Sequence, residues 1–180
     1  MNPQMRITSK PPASGTPAPD PSSPHHRPGH MARSAAKNNR AFLLCLSQVY
    51  AGTHCHSERR FLSWFCAKEL RPDECYHITW FMSWSPCMKC AELVAGFLGM
   101  YQNVTLSIFA ARLYYFQKPQ YRMGLLGLSD QGARVDIMSY REFKYCWKKF
   151  VYSQRRPFRP WKKLKRNYQL LAAELEDILG

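Results

Sequence analysis

Hydrophobic positions divide the chain into a front part without periodicity and a longer part in which strand-like and helix-like patterns alternate. Residues 1–39 hold eight of the thirteen prolines, together with Ser, Gly and Ala. Such a composition cannot bury enough apolar surface to offset chain entropy, so we expect a disordered leader. From Arg40 onward the alternation predicts one domain, residues 40–180, in which helices cover a sheet.

The period of each segment, about two or about 3.6 residues, assigns it to a strand or a helix. The predicted strands are AFLLCLSQVY (41–50), ECYHITWFMSW (74–84), VTLSIFAARLYY (104–115) and RVDIM (134–138). The predicted helices are SERRFLSWFCAKEL (57–70), CMKCAELVAGFLGM (87–100), QYRMGLLGLSDQ (120–131), YREFKYCWKKFV (140–151) and YQLLAAELEDIL (168–179). We expect Ser85 to be the N-cap of the second helix and Trp84 to continue the apolar face of the strand before it.

The charge balance favours a polyanionic partner. The chain carries 26 Lys and Arg against 12 Asp and Glu, a net charge of +14. Nucleic acid is the leading candidate, and a charge excess that serves only solubility is the alternative.

No segment resembles a signal sequence or a membrane span, so we expect a soluble chain in the cytoplasm, and also in the nucleus, without membrane contact. Seven cysteines in such a chain indicate reduced thiols available for metal binding or catalysis.

A pair of cysteines stands at the start of the second predicted helix. Cys87 and Cys90 are three residues apart, and the apolar face continues through later positions of the helix, so both sulfurs should point inward. Taken alone, a C-x-x-C pair is compatible with a redox pair, half of a structural zinc site, or chance.

The segment HCHSE, residues 54–58, changes that reading. Together with PCMKC it forms H-x-E…P-C-x-x-C, the signature of zinc-dependent deaminases. We therefore predict that His56, Cys87 and Cys90 bind Zn²⁺ and leave its fourth tetrahedral position open for water. Glu58 is the predicted general acid and base. A closed structural site that uses His54 and Cys55 in place of His56 is the alternative, and it would leave Glu58 without a role.

Longer motifs resemble a known family. They are THCHSERRFLSWF, ITWFMSWSPCMKCAELVAGFL, VTLSIFAARLYYFQKPQY, ARVDIMSYREFKYCWKKFVY and PFRPWKKLKRNYQLL, and they cover roughly residues 41–180. The chain resembles the AID/APOBEC polynucleotide cytidine deaminases, above all the third, antiviral subfamily of mammalian APOBEC proteins. The resemblance implies a three-layer α/β fold with a mixed sheet flanked by helices. We expect four strands here in place of five, because the leader supplies neither the family's first helix nor its first strand.

The resemblance also implies a function. It is the zinc-dependent conversion of cytosine to uracil in single-stranded DNA, within antiviral defence against retroviruses and retroelements. Trp84 and Tyr114 would wall the cytosine pocket, and the backbone of Ser85 would contact the exocyclic amine. The remaining nucleic-acid contacts implied by the family are Ser47 at the target sugar and Arg112, Tyr115 and Phe116 near the backbone and the 5′ neighbour. Consecutive aromatic residues beside a cation suit base stacking, with burial in the core as the alternative.

Besides the missing front segment, two positions depart from the family's pattern. Ser57 stands where relatives carry Ala, and because the added hydroxyl is small we expect activity to survive it. Ser47 stands where relatives carry Asn, which should weaken the sugar contact. Residues 137–173 contain eleven Lys or Arg and one acid, so RNA is a second expected partner, unless the charges only solvate a helix face.

The rival hypothesis is a catalytically weak or inactive module that binds RNA or single-stranded DNA. Thymine is the expected 5′ neighbour, and homo-oligomers and viral proteins stay open as partners.

Overall fold

The computed structural model describes residues 8–9, 39–45, 56–154 and 156–180. Within this part no helix combines the length and the apolar character needed to cross a membrane. The strands are β1 (Thr8–Ser9), β2 (Asn39–Cys45), β3 (Cys75–Met82), β4 (Val104–Ala110) and β5 (Arg134–Ile137). The helices are α1 (Ser57–Lys68), α2 (Met88–Met100), α3 (Pro119–Asp130), α4 (Tyr140–Phe150) and α5 (Leu164–Leu179).

The strands form one mixed sheet in the order β1-β2-β3-β4-β5. Strands β2 to β5 run parallel, and β1 pairs antiparallel with β2 at Thr8↔Leu43 and Ser9↔Phe42. Because parallel strands end at the same edge of a sheet, the segments that follow β3 and β4 meet there. Backbone bonds join these ends: the Ala111 N–H donates to the Met82 carbonyl at 2.8 Å, and the Met138 N–H donates to the Ala110 carbonyl at 2.8 Å.

One face of the sheet carries the main core. The rings of Phe61 and Phe65 on α1 meet Trp80 and Tyr76 on β3 edge to face, with centroid distances of 5.4 and 5.1 Å. Aromatic pairs of this geometry are favourable beyond the surface that they bury. Phe42 on β2 joins them at 5.6 Å from Phe65. Helices α2, α3 and α5 complete this layer, whose buried residues form one cluster.

The opposite face is covered by α4. Side chains alternate along a strand, so Phe81 points away from Trp80, and its ring stacks on Phe109 of β4 at 5.5 Å. Tyr145 and Phe150 of α4 pack on the same ring, at 5.5 and 6.1 Å. Helices therefore lie on both faces, which confirms the predicted three-layer α/β fold.

The four predicted strands are β2 to β5, and a two-residue β1, Thr8–Ser9, pairs with β2 beside them. Two sequence-based expectations need correction. Cys87, and not Ser85, is the N-cap of α2. Trp84 lies beyond the end of β3 and is 46% exposed, so it does not continue the buried face. Other features of the leader lie outside the described residues.

Tyr76 gives a stability prediction. Its ring is fully buried, and its hydroxyl accepts from the Arg71 N–H at 2.9 Å and donates to the Glu69 carbonyl at 2.6 Å. Replacing Tyr76 with Phe leaves both backbone groups without this partner, so we expect a loss of about 1–2 kcal/mol in the free energy of unfolding. Urea denaturation measures it. The control Tyr152→Phe alters a side chain that is 90% exposed and should change stability little. Equal midpoints for the two variants would contradict the assignment.

Candidate active site

Two helix starts bring together a group of nitrogen and sulfur atoms. His56 is the N-cap residue of α1, Cys87 is the N-cap residue of α2, and Cys90 lies in the first turn of α2. Neither N-cap side chain caps its own helix. The Nδ1 atom of His56 lies 3.4 Å from the Sγ atom of Cys87 and 3.4 Å from that of Cys90. The sequence-predicted ligand set is therefore assembled at one point.

These separations fit a tetrahedral zinc ion. Bonds of about 2.3 Å to sulfur and about 2.0–2.1 Å to nitrogen place the two ligand atoms about 3.5 Å apart at a tetrahedral angle. All three ligand atoms lie within 4.8 Å of one another. Among the described residues no fourth His, Cys, Asp or Glu joins this group. The alternative ligands His54 and Cys55 lie outside the described residues.

A cation would stabilise the charged forms of the side chains in this group. Burial raises the pKa of the Cys90 thiol, and the neighbouring Glu58 carboxylate and Cys87 raise it further. Thiolate is the form that binds a metal, and a divalent ion at this point supplies the opposite charge that stabilises it. The positive ends of two helix dipoles act in the same direction on the sulfurs.

Glu58 lies in the first turn of α1 and is buried, with 4% of its surface exposed. Its carboxylate contributes to the raised pKa of Cys90, so it lies within electrostatic range of that thiol, yet it is not a member of the ligand group. The Ser57 hydroxyl donates to Oε2 of Glu58 at 2.9 Å. An alanine at position 57 could not make this bond, so the departure at Ser57 gives the carboxylate a neighbour that orients it.

Ser85 joins the two segments that leave β3 and β4. Its N–H donates to the Arg112 carbonyl at 2.8 Å, and its hydroxyl accepts from the Tyr114 N–H at 2.9 Å. Ser85 is 3% exposed, so these bonds are shielded from water. The Ser85 hydroxyl bonds to Tyr114 in the segment after β4 and not to the first turn of α2, and this is why the N-cap prediction was wrong.

The same two segments carry an aromatic rim beside the ligand group. The rings of Trp84 and Tyr114 meet edge to face at 6.1 Å, and the guanidinium of Arg112 lies 5.1 Å from the Trp84 ring centroid. Burial raises the pKa of Tyr114, and Tyr115, Tyr121 and Cys87 raise it to a smaller extent. Tyr114 therefore lies within electrostatic range of Cys87, one of the predicted metal ligands. The structure thus brings Trp84, Arg112 and Tyr114 together, and their contact with nucleic acid stays a prediction.

A second aromatic group adjoins this rim. Tyr115 is 52% exposed and adopts a positive φ of 46°, which is uncommon for a residue other than glycine. Its ring lies 4.7 Å from Tyr114 and 5.5 Å from Tyr121, with the Lys118 amine 4.9 Å from its centroid. Tyr121 and Lys118 were missed by sequence reasoning. The YFQKPQY motif contains both, but only the first turn of α3 folds Tyr121 back onto the loop.

Two other predicted contacts have different outcomes. Phe116 is half-buried and packs against the hydrophobic core, so the core alternative applies to its ring, and its contact with a strand stays a prediction. Ser47 lies outside the described residues.

Comparison with known proteins places this geometry in a family. Residues 30–179 match the family described as APOBEC3, cytosine deaminase domain. The chain is 49% identical over 133 residues to the DNA dC->dU-editing enzyme APOBEC-3Ca of Felis catus, an alignment that covers 74% of this chain and 69% of that protein. It is 47% identical over 137 residues to the DNA dC->dU-editing enzyme APOBEC-3G of Papio anubis, covering 73% of this chain and 36% of that longer protein. The resemblance is confirmed, and the chain belongs to the APOBEC3 cytosine deaminase domain family.

Proposed function

We propose that the chain catalyses the hydrolytic deamination of cytosine to uracil in single-stranded DNA. The observation that carries the proposal is the group His56, Cys87 and Cys90, with ligand atoms within 4.8 Å of one another and the buried carboxylate of Glu58 beside it. Relatives that match most of this chain are named as DNA dC->dU-editing enzymes, which supports the same reaction.

The chemistry follows from the positions of the side chains. Zinc held by these three ligands would lower the pKa of a water to about 7 and so supply hydroxide at neutral pH. Glu58 can take one proton from the water as its oxygen adds to C4 of cytosine, and pass that proton to the ring nitrogen. It can then take the remaining proton of the added hydroxyl and pass it to the amine, which leaves as ammonia as the C4–N bond breaks and the C4 carbonyl forms. The bond from Ser57 fixes which oxygen of Glu58 is free for this transfer.

An unpaired strand is the substrate that suits the site. A cytosine inside a duplex cannot reach a pocket, so deaminases act on bases that are flipped out or single-stranded. Exposed Trp84, with Arg112 over its ring, offers a stacking surface at the rim, and a net charge of +14 attracts the phosphates. These features support single-stranded DNA as the substrate.

The wider setting is also a proposal. Antiviral defence against retroviruses and retroelements rests on family membership, and action in the cytoplasm or nucleus would be consistent with it. Residues 137–173 contain eleven Lys or Arg and one acid, and this positive charge supports RNA as a second ligand.

The role of Glu58 is tested by Glu58→Gln. Glutamine keeps the shape but cannot accept a proton, so we expect uracil formation on a cytosine-containing oligonucleotide to fall by at least about 100-fold. Zinc content and thermal stability should stay near those of the parent chain. The matched control Glu92→Gln changes an exposed carboxylate on α2 and should keep full activity. A parent chain that is no more active than Glu58→Gln would overturn the catalytic proposal in favour of the binding module.

The ligand assignment is tested by metal analysis. The purified chain should hold about one zinc ion, and His56→Ala, Cys87→Ser and Cys90→Ser should each lower this ratio because three ligands are needed. Cys66→Ser removes an exposed thiol of α1 and serves as the control. Elemental analysis after dialysis gives the ratio. Full zinc content in any of the three ligand variants would contradict the assignment.

The aromatic rim is tested by Trp84→Ala. Loss of one stacking surface should weaken oligonucleotide binding by about 5- to 160-fold, the equivalent of about 1–3 kcal/mol. Fluorescence anisotropy in the Glu58→Gln background reports binding without turnover. Tyr152→Ala, a change at an exposed ring remote in sequence from the rim, is the control. If the two variants weaken binding equally, Trp84 has no special contact with the strand.

A further inference from the structure

A second pocket lies beside the rim and shares one residue with it. The pocket has a volume of about 300 Å³ and is lined by Ser83, Ala111, Arg112, Phe143, Trp161 and Asn167. This volume is at the lower end of the range for small-molecule sites and suits a ligand of one or two rings. Arg112 contributes to both places, because its guanidinium also lies over Trp84. A strand that passes Trp84 can therefore reach this pocket.

The wall of the pocket is held in place by α4. The Trp147 indole N–H donates to the Arg156 carbonyl at 2.8 Å, and Phe158 packs between Tyr140 and Trp147 at 5.6 and 6.1 Å. The irregular segment between α4 and α5 is thus fixed along the helix, and Trp161 at its end meets Phe143 edge to face at 4.9 Å. This packing builds the pocket before any ligand arrives, which lowers the entropic cost of binding.

The lining has the chemistry of a base-binding site. Trp161 is 47% exposed, so part of its ring is available for stacking. Within the described part of the chain, the Ser83 hydroxyl and the Asn167 carboxamide make no hydrogen bond, and both groups can donate and accept. A planar heterocycle with hydrogen-bonding edges can satisfy both requirements at once.

The surroundings favour a polyanion. Lys162, Lys163, Lys165 and Arg166 flank Trp161 and Asn167 in sequence, and none of them forms an ion pair within the described residues. Glu142, the one acid of residues 137–173, is engaged in the capping box of α4 with Ser139. Phosphates next to a base in the pocket would meet the positive charge of these four side chains.

We propose that this pocket binds an unpaired base of the substrate strand other than the target cytosine. The proposal rests on the proposed function, since it takes the bound strand to be the one that is deaminated. The strand would place its target at the ligand group, pass over Trp84 and Arg112, and insert a flanking base between Trp161 and Asn167. The pocket would then help to select and align the substrate without contributing to the chemical step.

The experiment is an abasic-site scan in the Glu58→Gln background. A single abasic position is moved along an oligonucleotide with one central cytosine, and affinity is measured by anisotropy. We expect an affinity loss of at least fivefold at one flanking position, besides the loss at the target. In the Trp161→Ala variant, an abasic site at that flanking position should no longer lower the affinity, whereas in Tyr152→Ala it should lower the affinity as in the parent. Asn167→Ala, on the surface of α5, is the second variant and should change which base is preferred there.

Two results would overturn the proposal. One is a penalty at a flanking position that is unchanged in both Trp161→Ala and Asn167→Ala, or no flanking penalty at all. The other is a penalty that depends on Trp161 with an RNA oligonucleotide of the same sequence but not with DNA. Failure of the proposed function is a separate result, because it appears as absent uracil formation in the chain with Glu58 intact.

Discussion

The structure depends on the meeting of two helix starts at one edge of a parallel sheet. Strands β2 and β3 run in the same direction, so the helix between them must begin at the edge where the strands end, and α2 begins at that edge after β3. This topology brings His56 to within 3.4 Å of both sulfurs, although 31 and 34 residues separate them along the chain. The side chains of His56 and Cys87 do not cap their own helices and instead face one another.

The rim is organised by a different kind of interaction. Ser85 accepts one backbone bond and donates another, and both link the end of β3 to the end of β4. Trp84 directly precedes Ser85 in the sequence. Tyr114 is the residue whose backbone N–H donates to the Ser85 hydroxyl. These two bonds therefore link the backbone segments that carry Trp84 and Tyr114, while His56, Cys87 and Cys90 stand at the starts of α1 and α2. The aromatic rim and the ligand group are held by different parts of the fold.

Local periodicity predicted most elements because it is carried by neighbours in sequence. The H-x-E…P-C-x-x-C motif predicted the ligand group because each half has a specific combination of residue types, although 31 residues separate His56 from Cys87. The errors occurred where a distant partner decides the outcome. Ser85 has the residue type of an N-cap, but its hydroxyl bonds with Tyr114, 29 residues away. The two residues of β1 are too few to show a period in the sequence, and they pair with β2. Tyr121 joins the rim through the turn into α3, which no pattern in the loop indicates.

The segment between β4 and α3 contains Arg112 and the three aromatic residues that follow Leu113, and it contributes no ligand and no acid or base. Substitutions confined to its side chains would therefore change the surface beside the ligand group without removing a ligand atom or the carboxylate of Glu58. The shape of the rim and the composition of the ligand group can vary independently of each other.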